Sequence, residues 1–154
     1  VHKAKNKLSK LKNLLNSDHN FKYTFIYVPE GTEVNYDVED IKEDEEDSKI
    51  ISDYLKVVKD LKYRAKTVTG TQNDRENSLN RFKEGRIDML LAMKILDEGV
   101  DIPITKNAIF CSSTGNPRQF IQRRGRVLRR HKTKTYANIW DMVVIPKISE
   151  KSVL

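Results

Sequence analysis

The residues best suited to chemistry in this sequence are five arginines in the stretch Gln119–Arg130, which contains no acidic residue. An arginine guanidinium is always charged, and its planar fork binds phosphate oxygens in pairs. Arg123, Arg126 and Arg129 are spaced three apart, so a helix would place them on one face. The row therefore predicts phosphate contacts, either at a phosphoryl-transfer site or along nucleic acid. A solvated basic helix without chemistry is the simpler alternative.

The same stretch carries apolar residues that a helix could bury. We expect these residues to pack against the protein while the guanidinium groups project into a groove: Phe120, Ile121, Val127 and Leu128. Gly125 has no side chain, so another backbone or a ligand could approach it closely. Arg124 and Arg130 are predicted to be surface charges or contacts to a phosphate backbone.

Composition points to a polyanionic partner. The 154 residues carry a net charge of +7. Asp37–Asp47 holds eight acidic residues and one lysine, and subtracting that −7 from +7 leaves +14 on the rest of the chain. Such a basic surface favours nucleic acid, DNA or RNA, as the partner.

Cys111 is the single cysteine, which excludes a disulfide framework and favours a reducing, cytoplasmic setting. The sequence contains no apolar run long enough for a membrane helix.

Apolar periodicity predicts an α/β fold, an open parallel β-sheet with helices on both faces. The predicted strands are Tyr23–Val28, Tyr63–Val68, Ile87–Met93, Asn107–Ser112 and Tyr136–Ile145. Besides the arginine helix, the predicted helices are His2–Asn16, Ser48–Leu61 and Gln72–Lys83, the last ended by Gly85, and Gly31–Asp47 is predicted to be a long acidic loop. Ligands of such sheets bind beyond the carboxyl ends of the strands, where the loops Thr69–Arg75, Leu96–Pro103 and Thr114–Arg118 fall.

Several chemistries are excluded by what the sequence lacks. It has no GxxxxGK[ST] phosphate loop and no D-E-x-x box, so these residues do not form a complete phosphate-loop ATPase. His2, His19 and His131 are scattered and are expected to be surface residues, and Cys111 a buried structural thiol. An arginine inserted from a second domain, however, stabilises the charge that develops on a transferring γ-phosphoryl group.

The order of motifs resembles the C-terminal RecA-like domain of superfamily 2 helicases of the DEAD/DEAH-related group. QRRGRVLR (Gln122–Arg129) matches the motif VI pattern Q/H-R-x-G-R-x-x-R. LDEGVDIP (Leu96–Pro103) matches motif V in a form common among restriction-type helicases. YTFIYVP (Tyr23–Pro29) stands where motif IV stands, and Thr69–Gly85 matches the stretch between these motifs.

The resemblance implies roles for individual residues. Arg126 and Arg129 would be catalytic, reaching the γ-phosphate of ATP that is held, with Mg²⁺, mainly by an N-terminal RecA-like domain. The implied nucleotide-binding residues are Gly99, Asp101, Gln122 and Arg123. The implied nucleic-acid-binding residues are Thr69, Gly70, Gln72 and Arg75. No metal ligand is expected in this chain.

We therefore expect the second motor domain of an ATP-dependent nucleic-acid helicase or translocase, inactive as an isolated fragment. Residues 1–20 would form an N-terminal helical extension, and residues 21–154 a RecA-like domain with an acidic loop at 31–47. The alternatives are a non-catalytic nucleic-acid-binding module, a double-strand DNA translocase subunit of a restriction or remodelling machine, and a domain that binds protein partners through the acidic loop.

Overall fold

The computed structural model describes residues 2–29, 40–68, 72–93, 102–111 and 117–143. The elements in chain order are α1 His2–Leu15, β1 Thr24–Tyr27, α2 Asp40–Asp60, β2 Ala65–Thr67, α3 Gln72–Lys83, β3 Met89–Ala92, β4 Asn107–Phe110, α4 Pro117–Val127 and β5 Asn138–Asp141. The five strands form one sheet in the order β2-β3-β1-β4-β5. Every neighbouring pair is parallel, which confirms the predicted sheet.

Burial of the strands follows their place in the sheet. All residues of the three central strands β1, β3 and β4 are buried, as expected for strands covered on both faces. The edge strands β2 and β5 are half-buried throughout. The continuous apolar runs in the sequence reflect this difference, because only the central strands need apolar side chains on both faces.

Two apolar layers cover the sheet. On one face, Leu11 and Leu15 of α1 and Tyr54 and Val58 of α2 belong to a single buried cluster with the sheet residue Ile26. On the other face, Phe82 of α3 and Val127 of α4 belong to a cluster with Phe25 and Leu90. Helices therefore lie on both faces, as predicted, and α1 is part of the layered core. No helix in the described part of the chain is long and apolar enough to cross a membrane.

The second helix is longer than the sequence suggested. α2 begins at Asp40, so residues 40–47, predicted to belong to the acidic loop, are helical, and that part of the loop prediction was wrong. Glutamate has a high helix propensity, and negative charge near a helix N-terminus interacts favourably with the helix dipole. Residues 31–39, the rest of the predicted loop, lie outside the described residues.

Gly85 ends α3 as predicted. Its φ is +73°, in the left-handed region that glycine adopts without strain, and its N–H donates to the Phe82 carbonyl at 3.0 Å. A Cβ at this position would lie 3.0 Å from Oη of Tyr23. The glycine thus ends the helix and makes room for the tyrosine beneath it.

One ion pair joins the segments that lead into β2 and β3. Nη2 of Arg64 lies 2.7 Å from Oδ1 of Asp88, and the Arg64 backbone N–H donates to Oδ2 at 3.0 Å. Burial alone would raise the pKa of Asp88. The hydrogen bonds and charge of Arg64, with the charge of Lys22, outweigh burial and hold that pKa below its ordinary value.

This pair predicts a pH-dependent stability. Because the folded pKa of Asp88 lies below its ordinary value of 3.8, its contribution is complete above pH 3.8 and is lost as the pH falls through the folded value. Asp88→Asn should therefore be less stable than the wild type at neutral pH, and the difference should vanish in acid. Urea unfolding of both proteins between pH 7 and pH 2 measures this, and a difference independent of pH would contradict it.

Candidate functional site

The helix α4 carries the arginines from the carboxyl edge of the sheet back toward its amino edge. Nη2 of Arg124 donates to Oδ2 of Asp141, the last residue of β5, at 3.0 Å. One turn further along, at the C-terminal end of the helix, the Val127 carbonyl accepts from Nζ of Lys134 at 2.7 Å, and the same ammonium donates to the Thr105 carbonyl just before β4. The arginines thus lie at different depths along the strands.

Arg124 has a structural partner. It was predicted to be a surface or phosphate-contacting charge, and its side chain is 38% exposed and ion-paired with Asp141. The phosphate contact stays a prediction. α4 crosses the end of β5 closely enough for this ion pair to tie the helix to the edge strand.

Arg123 lies beneath the helix. It is 4% exposed, and its guanidinium carbon is 5.5 Å from the centroid of the Tyr27 ring. Tyr27 in turn stacks on Phe110 with 4.6 Å between ring centroids and 4° between planes. Cation–π attraction is strongest where water is excluded, so this aromatic pair is a favourable site for a buried guanidinium.

Arg126 faces a small cavity of about 10 Å³, roughly the space of one water molecule. The cavity is lined by Arg126 and Val127 of α4, Phe25 and Tyr27 of β1, and Ile102 and Thr105. Ile102 directly follows Asp101 in the chain. The half-exposed Arg126 and the end of the Leu96–Pro103 segment therefore meet at one place.

α4 ends before Arg129. Its last helical residue is Val127, so Arg126 and Arg129 do not share a helix face, and that expectation was wrong. The Val127 carbonyl at the end of the helix accepts from the Lys134 ammonium instead of from a further helical turn. Arg129 and Arg130 are exposed in the segment that follows.

The buried face of α4 also differs from the predicted one. Ile121 and Leu128 are 68% and 58% exposed, whereas Arg123 and Val127, four residues apart, face inward. Gly125 is exposed, with no atom within 4 Å of a Cβ built on it. Its outer surface is therefore open to a neighbouring backbone or ligand.

Comparison with known proteins identifies the fold and the family. Residues 6–131, most of the chain, match the helicase conserved C-terminal domain. The chain belongs to this family. Its fold resembles that of the DEAD-box protein SrmB of E. coli, solved in complex with regulator of ribonuclease activity A, with a TM-score of 0.66 and 15% identity over 91% of this chain and 71% of that one. The fold is therefore the RecA-like fold of superfamily 2 helicase C-terminal domains.

Two curated proteins are similar to parts of this helicase C-terminal domain. The DNA 3′-5′ translocase XPB2 of Sulfurisphaera tokodaii is 41% identical over 59 residues, which are 38% of this chain and 13% of the translocase. Dicer-like protein 2 of Pyricularia oryzae is 31% identical over 98 residues, 53% of this chain and 7% of that protein. The chain thus spans a small part of the length of either relative.

The other predicted site residues of the helicase C-terminal domain divide into two groups. Gln122 is exposed on α4, Gln72 is the first residue of α3, and Arg75 is half-buried one turn further along α3. The remaining four lie outside the described residues: Thr69, Gly70, Gly99 and Asp101. Their predicted contacts stay predictions.

A polar cluster at the amino edge of the sheet was missed by sequence reasoning. His19, expected at the surface, is half-buried in edge-on contact with Phe21 and Trp140, each 4.9 Å away between ring centroids. Its Nε2 lies 3.2 Å from Oδ1 of Asn107. The one signal in the sequence was Asn107 itself, an amide at the start of an apolar strand.

Cys111 is buried as predicted, and burial raises its pKa to about 12.

Proposed function

We propose that this helicase C-terminal domain is the second motor domain of an ATP-dependent nucleic-acid helicase or translocase. The observation that carries the proposal is that Arg126 and Ile102 of the Leu96–Pro103 segment line the same cavity. In the resemblance, these two stretches are motif VI and motif V, which complete a nucleotide site together. Arg126 is half-exposed and Arg129 is exposed, so neither residue belongs to the buried core.

The proposed chemistry is phosphoryl transfer to water at a site shared by two domains. An N-terminal RecA-like domain would bind ATP and supply the phosphate loop, the Mg²⁺ carboxylate and the water-orienting glutamate. The part of this chain that the structure describes contains no group of three His, Cys, Asp or Glu residues able to hold a metal. Arg126 and Arg129 would stabilise the negative charge that develops on the γ-phosphoryl oxygens.

The remaining nucleotide contacts would surround these arginines. Gln122 is exposed on α4, where it could reach the phosphates, and Gly99 and Asp101 would contact the nucleotide, with Asp101 accepting from the ribose hydroxyl. Arg123, held against Tyr27, would keep α4 seated on the sheet while the two domains close. Closing on ATP and opening after hydrolysis would move this domain along the strand.

The bound strand of nucleic acid would lie near the start of α3. Thr69, Gly70, Gln72 and Arg75 would contact the sugar-phosphate backbone of DNA or RNA. Because such contacts are mainly to phosphate, binding should weaken steeply with salt and depend little on sequence.

The likeness to the XPB2 translocase supports a second candidate, movement along duplex DNA without strand separation. A triplex-displacement assay and a strand-separation assay on the full-length protein distinguish the two. Displacement of a third strand without unwinding of the duplex would favour translocation.

The 154-residue chain alone should hydrolyse no ATP, because it lacks a phosphate loop and a magnesium carboxylate box. Phosphate release by the purified chain with Mg²⁺ and single-stranded oligonucleotide is the measurement. Robust turnover that persists through further purification would contradict the two-domain site.

A further inference from the structure

A second cavity, of about 250 Å³, opens at the amino edge of the sheet. It lies where the segments preceding β1, β4 and β5 come together, and it shares no lining residue with the cavity beside Arg126. The lining residues used below are Lys22, Tyr23, Lys106, Asn107, Lys134 and Tyr136. Nothing in the proposed hydrolysis requires this cavity.

The cavity is electropositive. Three lysines line it, and no carboxylate does. Lys134 is committed to backbone carbonyls, but the ammonium groups of Lys22 and Lys106 make no ion pair with any described residue. The nearby carboxylate of Asp88 is ion-paired with Arg64, and Lys22 acts on it only through its charge, which helps to lower the pKa of Asp88. Two ammonium groups at one opening, neither of them in an ion pair with a described residue, are suited to an anion.

The floor of the cavity is held in place by Asn107, which is 1% exposed. Its Nδ2 donates to the Asn20 carbonyl at 3.1 Å and to the Lys22 carbonyl at 3.0 Å. Its Oδ1 accepts from Nδ2 of Asn138 at 3.1 Å. These bonds fix the backbone that carries Lys22 relative to β4 and β5, so the site needs little ordering before a ligand binds.

Aromatic rings complete the site. Tyr136 is 72% exposed at the rim, and Nζ of Lys106 lies 5.4 Å from the centroid of the Tyr23 ring. An exposed aromatic ring beside lysines is the combination that binds single-stranded nucleic acid, since bases stack on the ring while the cations meet phosphate.

We propose that this cavity binds a nucleotide unit of a single-stranded nucleic acid, with its phosphate between Lys22 and Lys106 and its base on Tyr136. The choice of nucleic acid rests on the proposed function. The site itself is separate, because it lies at the amino edge, whereas Gln72 and Arg75 follow the carboxyl end of β2. The domain would therefore hold the strand at two places.

A pair of matched double variants tests the lysines. Lys22→Ala/Lys106→Ala and the control Lys49→Ala/Lys56→Ala both lower the net charge by two, and the control lysines are exposed on α2. Fluorescence anisotropy with a single-stranded oligonucleotide should show about tenfold weaker binding for the first variant only, and a salt dependence shallower by about 0.7 in log–log slope, the value for one phosphate. Equal losses in the two variants would overturn the proposal.

Photocrosslinking tests the base contact independently. An oligonucleotide containing 5-bromouracil should crosslink to the tryptic peptide 135–147, which contains Tyr136, and Tyr136→Phe should retain binding. Tyr136→Ala should weaken binding about 5- to 100-fold. Absence of a crosslink in this peptide, or full affinity in Tyr136→Ala, would overturn the contact.

The source of the nucleotide is decided by competition. If a mononucleotide binds the wild-type chain as tightly as the oligonucleotide and with the same dependence on Lys22 and Lys106, the strand assignment is overturned in favour of a free nucleotide. Competition by the oligonucleotide alone supports it. Arg75→Ala tests the separate contact to nucleic acid under the proposed function. Whether or not it weakens oligonucleotide binding, the results for the lysines and Tyr136 keep their meaning.

Discussion

Arg126→Ala in the full-length protein should lower the rate of ATP hydrolysis by about 10³–10⁵-fold while changing the affinity for ATP far less. The guanidinium meets charge that appears on the γ-phosphoryl oxygens only in the transition state, so its loss removes rate and leaves most of the ground-state binding. Single-turnover hydrolysis, together with the affinity for a fluorescent ATP analogue, separates the two quantities. Arg129→Ala should behave in the same way.

Two further variants make this result specific. Arg126→Lys keeps the charge but loses the planar fork, and we expect it to recover only part of the rate. Arg124→Ala removes an arginine two positions away whose guanidinium is paired with Asp141, so it should lower stability and leave hydrolysis largely intact. Normal turnover in both Arg126→Ala and Arg129→Ala would refute the assignment of these residues.

The sheet could be predicted because the residues that its strands require lie within each strand. A strand covered on both faces is mostly apolar. β3 shows this at every position (MLLA), and β1 shows it at every position after Thr24. The helix α3 was predicted with the bounds Gln72–Lys83 that the structure shows, because Gly85 marks its end. In these elements the residues themselves carry the pattern that the fold requires.

The arginine helix was harder to predict because its environment is built by distant residues. Periodicity treats Arg123 as polar and Ile121 as apolar, yet Arg123 is buried and Ile121 is exposed. The surface that accepts the guanidinium is Tyr27 stacked on Phe110, which are far from Arg123 in sequence. The last carbonyl of the helix, that of Val127, likewise accepts from Lys134, seven residues further along the chain.

The contacts of Asn107, at the amino edge of the sheet, could not be predicted either, because they too join residues that are distant in sequence. Its amide joins the Asn20–Lys22 segment to β4, and together with Asn138 it forms the floor of the 250 Å³ cavity. Nothing within a few residues of Asn107 in sequence reveals these partners. The sequence therefore predicted the position of β4 but not the polar site at its first residue.

Phe82→Ala should lower the free energy of unfolding by about 3–5 kcal/mol, the range for removing a buried aromatic ring. Phe82 is fully buried in the cluster beneath α3 and meets Tyr23 edge-on, with 5.8 Å between ring centroids. α3 has few other apolar anchors, since its sequence QNDRENSLNRFK offers only Leu79 besides. The helix should therefore be held on the sheet mainly by this one ring.

Phe82→Ala should also weaken the proposed contacts to nucleic acid, because Gln72 and Arg75 lie in the first turn of α3. We expect faster amide hydrogen exchange along α3 than along α2, and weaker oligonucleotide binding under conditions where the variant remains folded. Leu79→Ala is the matched control, because Leu79 is only half-buried on the same helix and should lose less stability. If Phe82→Ala loses no more stability than Leu79→Ala, or if its α3 amides exchange as slowly as in the wild type, then α3 is held on the sheet by something other than the ring of Phe82.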